Sequence, residues 1–210
     1  MNSLLFPGQG SQVVGMGEEF YKNFKCVKKI FEFADERLNY KISKIILEGP
    51  EDKLKLTEIT QPAILIVSYS IFKVMKDEFG YNFDNFNYFA GHSLGEFSAL
   101  VASDSLQVQD ALYLLSERGK AMQESVPLGK GSMIAVLGVN NEEIKDILRI
   151  FKNENNVCEI ANDNSIGQII ISGDKKTIDE LIVVLKEKKN KKYTSKSKRT
   201  FSLLFNEASS

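Results

Sequence analysis

Histidine and cysteine are scarce in this chain: 210 residues hold one histidine and two cysteines. A dedicated zinc site would have few ligands to draw on. A disulfide scaffold would have only Cys26 and Cys158, far apart in sequence, to build with. Both cysteines read as small core residues. No run of eighteen or more apolar residues occurs, and the opening MNSLLFPGQGSQ lacks the basic region and long apolar stretch of a secretion signal. The expectation is a soluble, cytoplasmic protein with no membrane partner. What is present fits a folded chain: 43% of residues are hydrophobic and 26% charged. That is enough for one substantial core, or for one core and a small satellite domain. The net charge of −1 hides an asymmetry, because residues 186–199 carry eight Lys or Arg and one Glu.

Along the chain, Ser3 to Phe6 reads as a short strand running into the loop Pro7-Gly8-Gln9-Gly10-Ser11-Gln12. Helical periodicity follows at Val27, Ile30, Phe31, Ala34 and Leu38. Gly49-Pro50 marks a break. Thr60-Gln61-Pro62 reads as a helix start, since proline is tolerated where no amide partner is required, and the helix continues to Phe79 with apolar residues on most faces. Tyr88 to Gly91 is expected to be a buried strand, followed by a turn centred on Ser93, a helix, and a second helix from about Val108 to Met122. Pro127 to Gly131 is the best internal boundary. Beyond it the pattern is strand (Ser132–Leu137), helix (Glu142–Phe151), strands (Val157–Ala161 and Gln168–Ser172) and helix (Thr177–Lys188). This is one strand short of the ferredoxin-like order. Lys189 to Arg199 cannot supply a buried apolar strand; Tyr193-Thr194 as a short edge, or a fraying terminus, are the readings available there.

Gly91-His92-Ser93-Leu94-Gly95 matches the G-x-S-x-G nucleophile elbow. Small residues flanking the serine let the backbone turn sharply from strand to helix and leave its hydroxyl exposed. Amides at the start of the next helix have no intrahelical acceptor, so they can hold negative charge on an attacked carbonyl, with Leu94 N–H the leading donor. A structural tight turn is the plain alternative. The opening glycines form no dinucleotide fingerprint, and a Walker A lysine and hydroxyl pair is absent.

The elbow and several outlying segments together resemble the malonyl-CoA:acyl carrier protein transacylase family. The resemblance is carried by FPGQGSQ at 6–12, EGPEDKLKLTEITQPA at 48–63, AGHSLGEFSAL at 90–100, ERGKAMQ at 117–123 and ANDNSIGQIIISG at 161–173. It implies an α/β fold: a large acyltransferase domain with a parallel sheet and nucleophile elbow over residues 1–126, a ferredoxin-like small subdomain over 127–197 with its last strand in question, and an atypical tail at 198–210. It also implies malonyl-CoA as substrate, no bound cofactor or metal, and acyl carrier protein, through its phosphopantetheine thiol, as partner.

Residue by residue, the resemblance makes Ser93 the acylated nucleophile and the amides of Gln12 and Leu94 the oxyanion donors. Arg118 becomes the ligand of the malonyl carboxylate, a role suited to the planar, permanently charged guanidinium. Asn162 and Gly167-Gln168 become cleft-lining or structural positions. Gly91, His92 and Gly95 shape the elbow. Without the resemblance, Gln12 is an ordinary polar loop residue and Arg118 a solvated helix cation.

The sequence departs from this pattern in one respect. A serine needs a base, and the only histidine, His92, adjoins Ser93, where neighbouring side chains diverge. The family's downstream histidine has no counterpart. From Lys188 the chain turns abruptly to lysine and serine, which is read as a frameshifted, truncated or split reading frame, with a regulatory variant as the alternative. Impaired transfer and apolar faces left uncovered are the expected consequences. Two alternatives stay open: an inactive module binding acyl carrier protein or acyl-CoA, and a serine hydrolase. The basic segment could attract nucleic acid, but neither aromatic interleaving nor a recognised fold supports that.

Overall fold

The computed structural model describes residues 1–125, 129–151, 156–194 and 202–206. Pro127 and Leu128 at the expected boundary, and residues 195–201 and 207–210 of the tail, lie outside them. The chain divides into two compact units, Met1–Ser125 and Val126–Ser210.

The first unit opens with β1 (Ser3–Phe6), then α1 (Glu18–Asn23), α2 (Lys25–Leu38), α3 (Ile42–Glu48), α4 (Glu51–Leu54) and α5 (Thr57–Asp77). β2 (Tyr88–Gly91), α6 (Gly95–Ala102) and α7 (Val108–Ser125) complete it. β1 and β2 pair in parallel from Ser3 opposite Tyr88 to Phe6 opposite Gly91. α5 is the axis of the unit: Thr60 to Ile66 is an unbroken buried run, as expected of a helix that others cover on several sides. Leu65 and Ile66 share one core with Val27 and Phe31 of α2, Ile42 and Ile46 of α3, Leu54 of α4, and Leu112 and Leu115 of α7.

Two expectations are corrected here. α5 begins at Thr57 rather than at Thr60–Pro62, so Pro62 lies inside the helix. The lost backbone bond is local, and the turn ahead of it is tied down: the Thr60 amide donates to the Leu56 carbonyl and its hydroxyl to that of Leu54. β2 is not buried. Its residues alternate between exposed and half-buried because each strand of this sheet has only one strand neighbour among the described residues. Leu5 is 73% and Tyr88 55% exposed in consequence.

The second unit runs β3 (Gly131–Leu137), α8 (Asn141–Phe151), β4 (Cys158–Ser165), β5 (Gln168–Asp174), α9 (Lys175–Thr194) and β6 (Ser202–Asn206). The sheet order is β4-β5-β3-β6 and every adjacent pair is antiparallel. This is the complete ferredoxin-like arrangement, βαββαβ. Ile134, Val136, Ile169 and Ile171 alternate onto one face of the sheet. Ile144, Ile147, Leu148 and Phe151 of α8 cover that face with Ile178, Leu181 and Leu185 of α9, at helical spacing.

The tail departs from its expected structure. Tyr193 and Thr194 continue α9 rather than forming an edge strand. The fourth strand comes later, at Ser202–Asn206, and pairs with β3 from Met133 opposite Asn206 to Leu137 opposite Ser202. The lysine-rich run ahead of it carries no strand pattern, whereas SLLF at 202–205 is a short, largely apolar stretch.

Candidate active site

The site is built where β2 ends. Ser93 occupies the left-handed region at φ 54°, a conformation side-chain-bearing residues rarely take and one that costs about 1–3 kcal/mol. The neighbouring glycines make the bend possible. A Cβ on Gly91 would stand 1.9 Å from the Gly95 carbonyl carbon, and one on Gly95 would stand 2.6 Å from the Phe6 carbonyl oxygen. The strand-to-helix turn is therefore folded against itself and against the end of β1. Gly8 closes the arrangement from the opening loop, since a Cβ there would meet His92 Nδ1 at 2.7 Å. Ser93 itself is exposed, while Leu94 behind it is fully buried.

Two loops thus meet at the elbow. The opening loop is braced internally: the Gly10 amide donates to Gln12 Oε1 at 2.8 Å, and the Ser11 hydroxyl to the Gly8 carbonyl at 2.9 Å. Neither the Leu94 amide nor the Gln12 amide donates to an acceptor among the described residues. A backbone amide with no acceptor of its own can donate to an anion.

Arg118 reaches this point from α7. Helices α5 and α7 are in close contact at Gly119, where a Cβ would stand 2.4 Å from Glu58 Cα. That close approach sets the half-buried Arg118 beside the elbow: its Nη2 donates to Ser93 Oγ at 3.0 Å and its Nη1 to Gln61 Oε1. Arg118 makes no salt bridge among the described residues. A half-buried guanidinium with only neutral partners keeps its charge available for an anionic ligand.

Gln61 was read in the sequence only as part of a helix start. It is completely buried, and its Nε2 donates to Met122 Sδ at 3.2 Å. A glutamine directly ahead of the apolar run Pro62–Val67 is the available signal, because most buried polar side chains have hydrogen-bond partners. His92, the only histidine, is exposed; its amide donates to the Phe6 carbonyl at 3.3 Å and its ring lies over Gly8. Asn162 and Gln168 belong to the β4–β5 hairpin of the second unit. Asn162 is exposed just past a bulge, and Gln168 Oε1 accepts from Asn164 Nδ2 at 3.5 Å.

A cavity of about 300 Å³ beside β1, lined by Leu5, Phe6, Met16, Ile71, Phe72 and Met75, includes neither Ser93 nor Arg118. No group of three or more metal-ligating side chains converges among the described residues, and none of their helices is long and apolar enough to cross a membrane.

Comparison with known proteins bears on this geometry. The acyl transferase domain family matches residues 4–198. The malonyl CoA-acyl carrier protein transacylase of Bacillus subtilis is 43% identical over 185 residues, which is 88% of this chain and 57% of that protein. The chain therefore spans little more than half the length of that relative. An acyl-carrier-protein S-malonyltransferase from Bartonella henselae superimposes with a TM-score of 0.85 at 40% identity, over 100% of this chain and 64% of the other. A malonyl-transacylase solved in complex with its type II PKS acyl-carrier protein matches with a TM-score of 0.80 at 34% identity, over 96% of this chain and 62% of the other. With a strained serine elbow set against a guanidinium, and a family match covering all but the ends of the sequence, the chain belongs to the acyl transferase domain family, alongside its malonyl CoA-acyl carrier protein transacylases.

Proposed function

We propose that Ser93 accepts a malonyl group from malonyl-CoA and passes it to the phosphopantetheine thiol of an acyl carrier protein. The observation that carries this is the Arg118 guanidinium, unpaired by any carboxylate among the described residues and 3.0 Å from the Ser93 hydroxyl. A thioester placed for attack by Ser93 and ending in a free carboxylate satisfies both groups at once. A neutral ester leaves the cation unused, which disfavours a general hydrolase.

In the first step the Ser93 oxygen bonds to the thioester carbonyl carbon, and the resulting oxyanion sits on the amides of Leu94 and Gln12. The carbon–sulfur bond then breaks, and CoA leaves as its thiol with the proton that Ser93 gave up. In the second step the carrier thiol attacks the malonyl-serine ester, and the serine oxygen recovers a proton. Arg118 holds the distal carboxylate through both steps. The kinship with a transacylase solved with its carrier protein supports the choice of acceptor. A cytoplasmic setting belongs to the same reading.

Proton transfer from Ser93 requires a base, and His92 is tied to the elbow. A positioned base contributes about 100- to 10,000-fold to such a transfer. The test is intact-mass measurement after prolonged incubation with malonyl-CoA. One malonyl group adds to the chain, and Ser93→Ala takes up none; labelling retained in Ser93→Ala rejects this nucleophile.

A further inference from the structure

The two faces of the β1–β2 sheet are unlike. On one, Phe6 is buried and Leu4 and Phe89 are half-buried against a cluster that includes Phe72, Phe83 and Ala99. On the other, Ser3 and Leu5 lie opposite Tyr88 and Ala90, and all four are exposed. Parallel strands are ordinarily covered on both faces, because the connections that join them lay helices over the sheet. Here one face lies open.

One edge is open as well. The Asn2 and Phe6 carbonyls accept from the Asn87 and His92 amides, on the side of β2. Backbone groups alternate between the two edges of a strand, so the amide and carbonyl of Leu5 turn to the edge that no strand adjoins among the described residues. The cavity of about 300 Å³ borders the same strand, lined by Leu4, Leu5 and Phe6 of β1 and by Ile64, Ile71 and Met75 of α5.

These features together select the kind of occupant. An aliphatic ligand would fill the cavity but leave the backbone groups of Leu5 without partners. A strand pairs with them and sends alternate apolar side chains into the cavity. A second copy of this chain offers β1 itself, a strand that already lines its own cavity, so a contact between copies leaves both cavities unfilled. The family holds the needed length elsewhere. This chain spans 57% of the Bacillus subtilis relative, and the rest of that protein has no counterpart in these 210 residues.

We propose that β1 is a docking edge for a second polypeptide: a strand with an attached helix, drawn from the part of a family chain that these residues do not span. The strand pairs with β1 beside Leu5, and the helix lies over Leu5, Tyr88 and Ala90. The sheet then has three strands and both faces covered. This assignment is independent of the chemistry given to Ser93.

The test is co-production of the whole chain, carrying an affinity tag, with the segment of the Bacillus subtilis relative that it does not match. The two copurify as a one-to-one complex by light scattering, and hydrogen exchange at the Leu5 amide slows by about tenfold or more. Leu5→Lys, which puts a charge on the face to be covered, weakens the association by about tenfold or more. Ile166→Lys changes a fully exposed residue of the second unit and leaves the association as it was.

Failure to recover a complex overturns the proposal. So does a complex in which Leu5 exchanges as fast as before, or one that Leu5→Lys leaves intact, since either places the contact elsewhere. A dimer of this chain alone that protects Leu5 equally assigns the edge to a second copy and overturns the choice of partner. Should Leu5→Lys lose the helical content of the unmodified chain in circular dichroism, Tyr88→Lys on the neighbouring strand decides in its place, with the same expectations.

Discussion

The two units solve opposite problems with their backbones. In the second, β5 and the later part of β3 alternate, with one face buried under α8 and α9 and the other turned away. In the first, the parallel sheet has two strands of four residues, the core is made by helices around α5, and the end of β2 is bent into a conformation that serine disfavours. The paired strands β3 and β5 of the second unit hold no side-chain-bearing residue in the left-handed region. The first unit has three such residues, Asn39, Ser93 and Asp104, and at Ser93 the exposed hydroxyl meets the Arg118 guanidinium. Strain of this kind persists only where surrounding contacts enforce it, and the glycines at 8, 91 and 95 are the enforcing contacts.

That contrast is broken most severely at Gly91. Gly91→Ala puts a methyl group 1.9 Å from the Gly95 carbonyl carbon, where only backbone can yield, and should destabilise the first unit by about 3 kcal/mol or more. Gly80→Ala is the control: its φ of +64° is strained for alanine but nothing stands within 4 Å, so the cost is about 1 kcal/mol. Urea unfolding of both variants checks the difference, and equal midpoints would show that the elbow is not clamped.

In the second unit the matching disruption is in the core. Ile171→Ala empties a fully buried site between the sheet and its helices and should cost about 2–5 kcal/mol. Hydrogen exchange should show the loss of protection in β3, β5 and α9. An effect below about 1 kcal/mol would mean that this core collapses around the gap.

The smallest effect is a dependence on pH, and it includes the first unit, where burial also pushes the Cys26 thiol up. Burial, with help from the Asp174 and Glu159 carboxylates, pushes the Cys158 thiol up to about 11. The folded state keeps a proton that the unfolded chain releases, so this contribution is whole below the ordinary thiol value and is lost as pH rises toward 11. Tyr40 in the first unit is pushed up to about 12 by burial first and then by Glu58 and Asp35, so its loss begins from the higher phenol value. Stability of the second unit should fall as pH rises from about 9 to about 11, and Cys158→Ala should shallow that fall in urea titrations. An unchanged slope in the variant would remove Cys158 as its source.

Much of this molecule was legible in its residues, for identifiable reasons. The elbow could be read because glycine spacing around a serine restricts the backbone to few shapes, and α8 because Ile144, Ile147, Leu148 and Phe151 keep strict helical period. The start of α5 was misplaced because Pro62 looks like a first-turn residue, and nothing local reveals that Thr60 anchors the turn before it. β6 was missed because its pairing with β3 is a long-range event between segments some seventy residues apart. The role of Gln61 is not legible locally, because a polar residue in a mixed helix does not name its partner.

The sequence by itself determined where the chain can bend sharply and which faces of its helices and strands must be covered, since both follow from neighbours within a few residues. Tertiary structure decided which groups share the site. Ser93, Arg118 and Gln61 come from three elements, and only the close packing of α5 against α7 at Gly119, with β1 beside β2, brings them within hydrogen-bonding distance. Hydrogen bonds act over about 3 Å, so the chemistry of the site depends on helix and strand positions that no local pattern encodes.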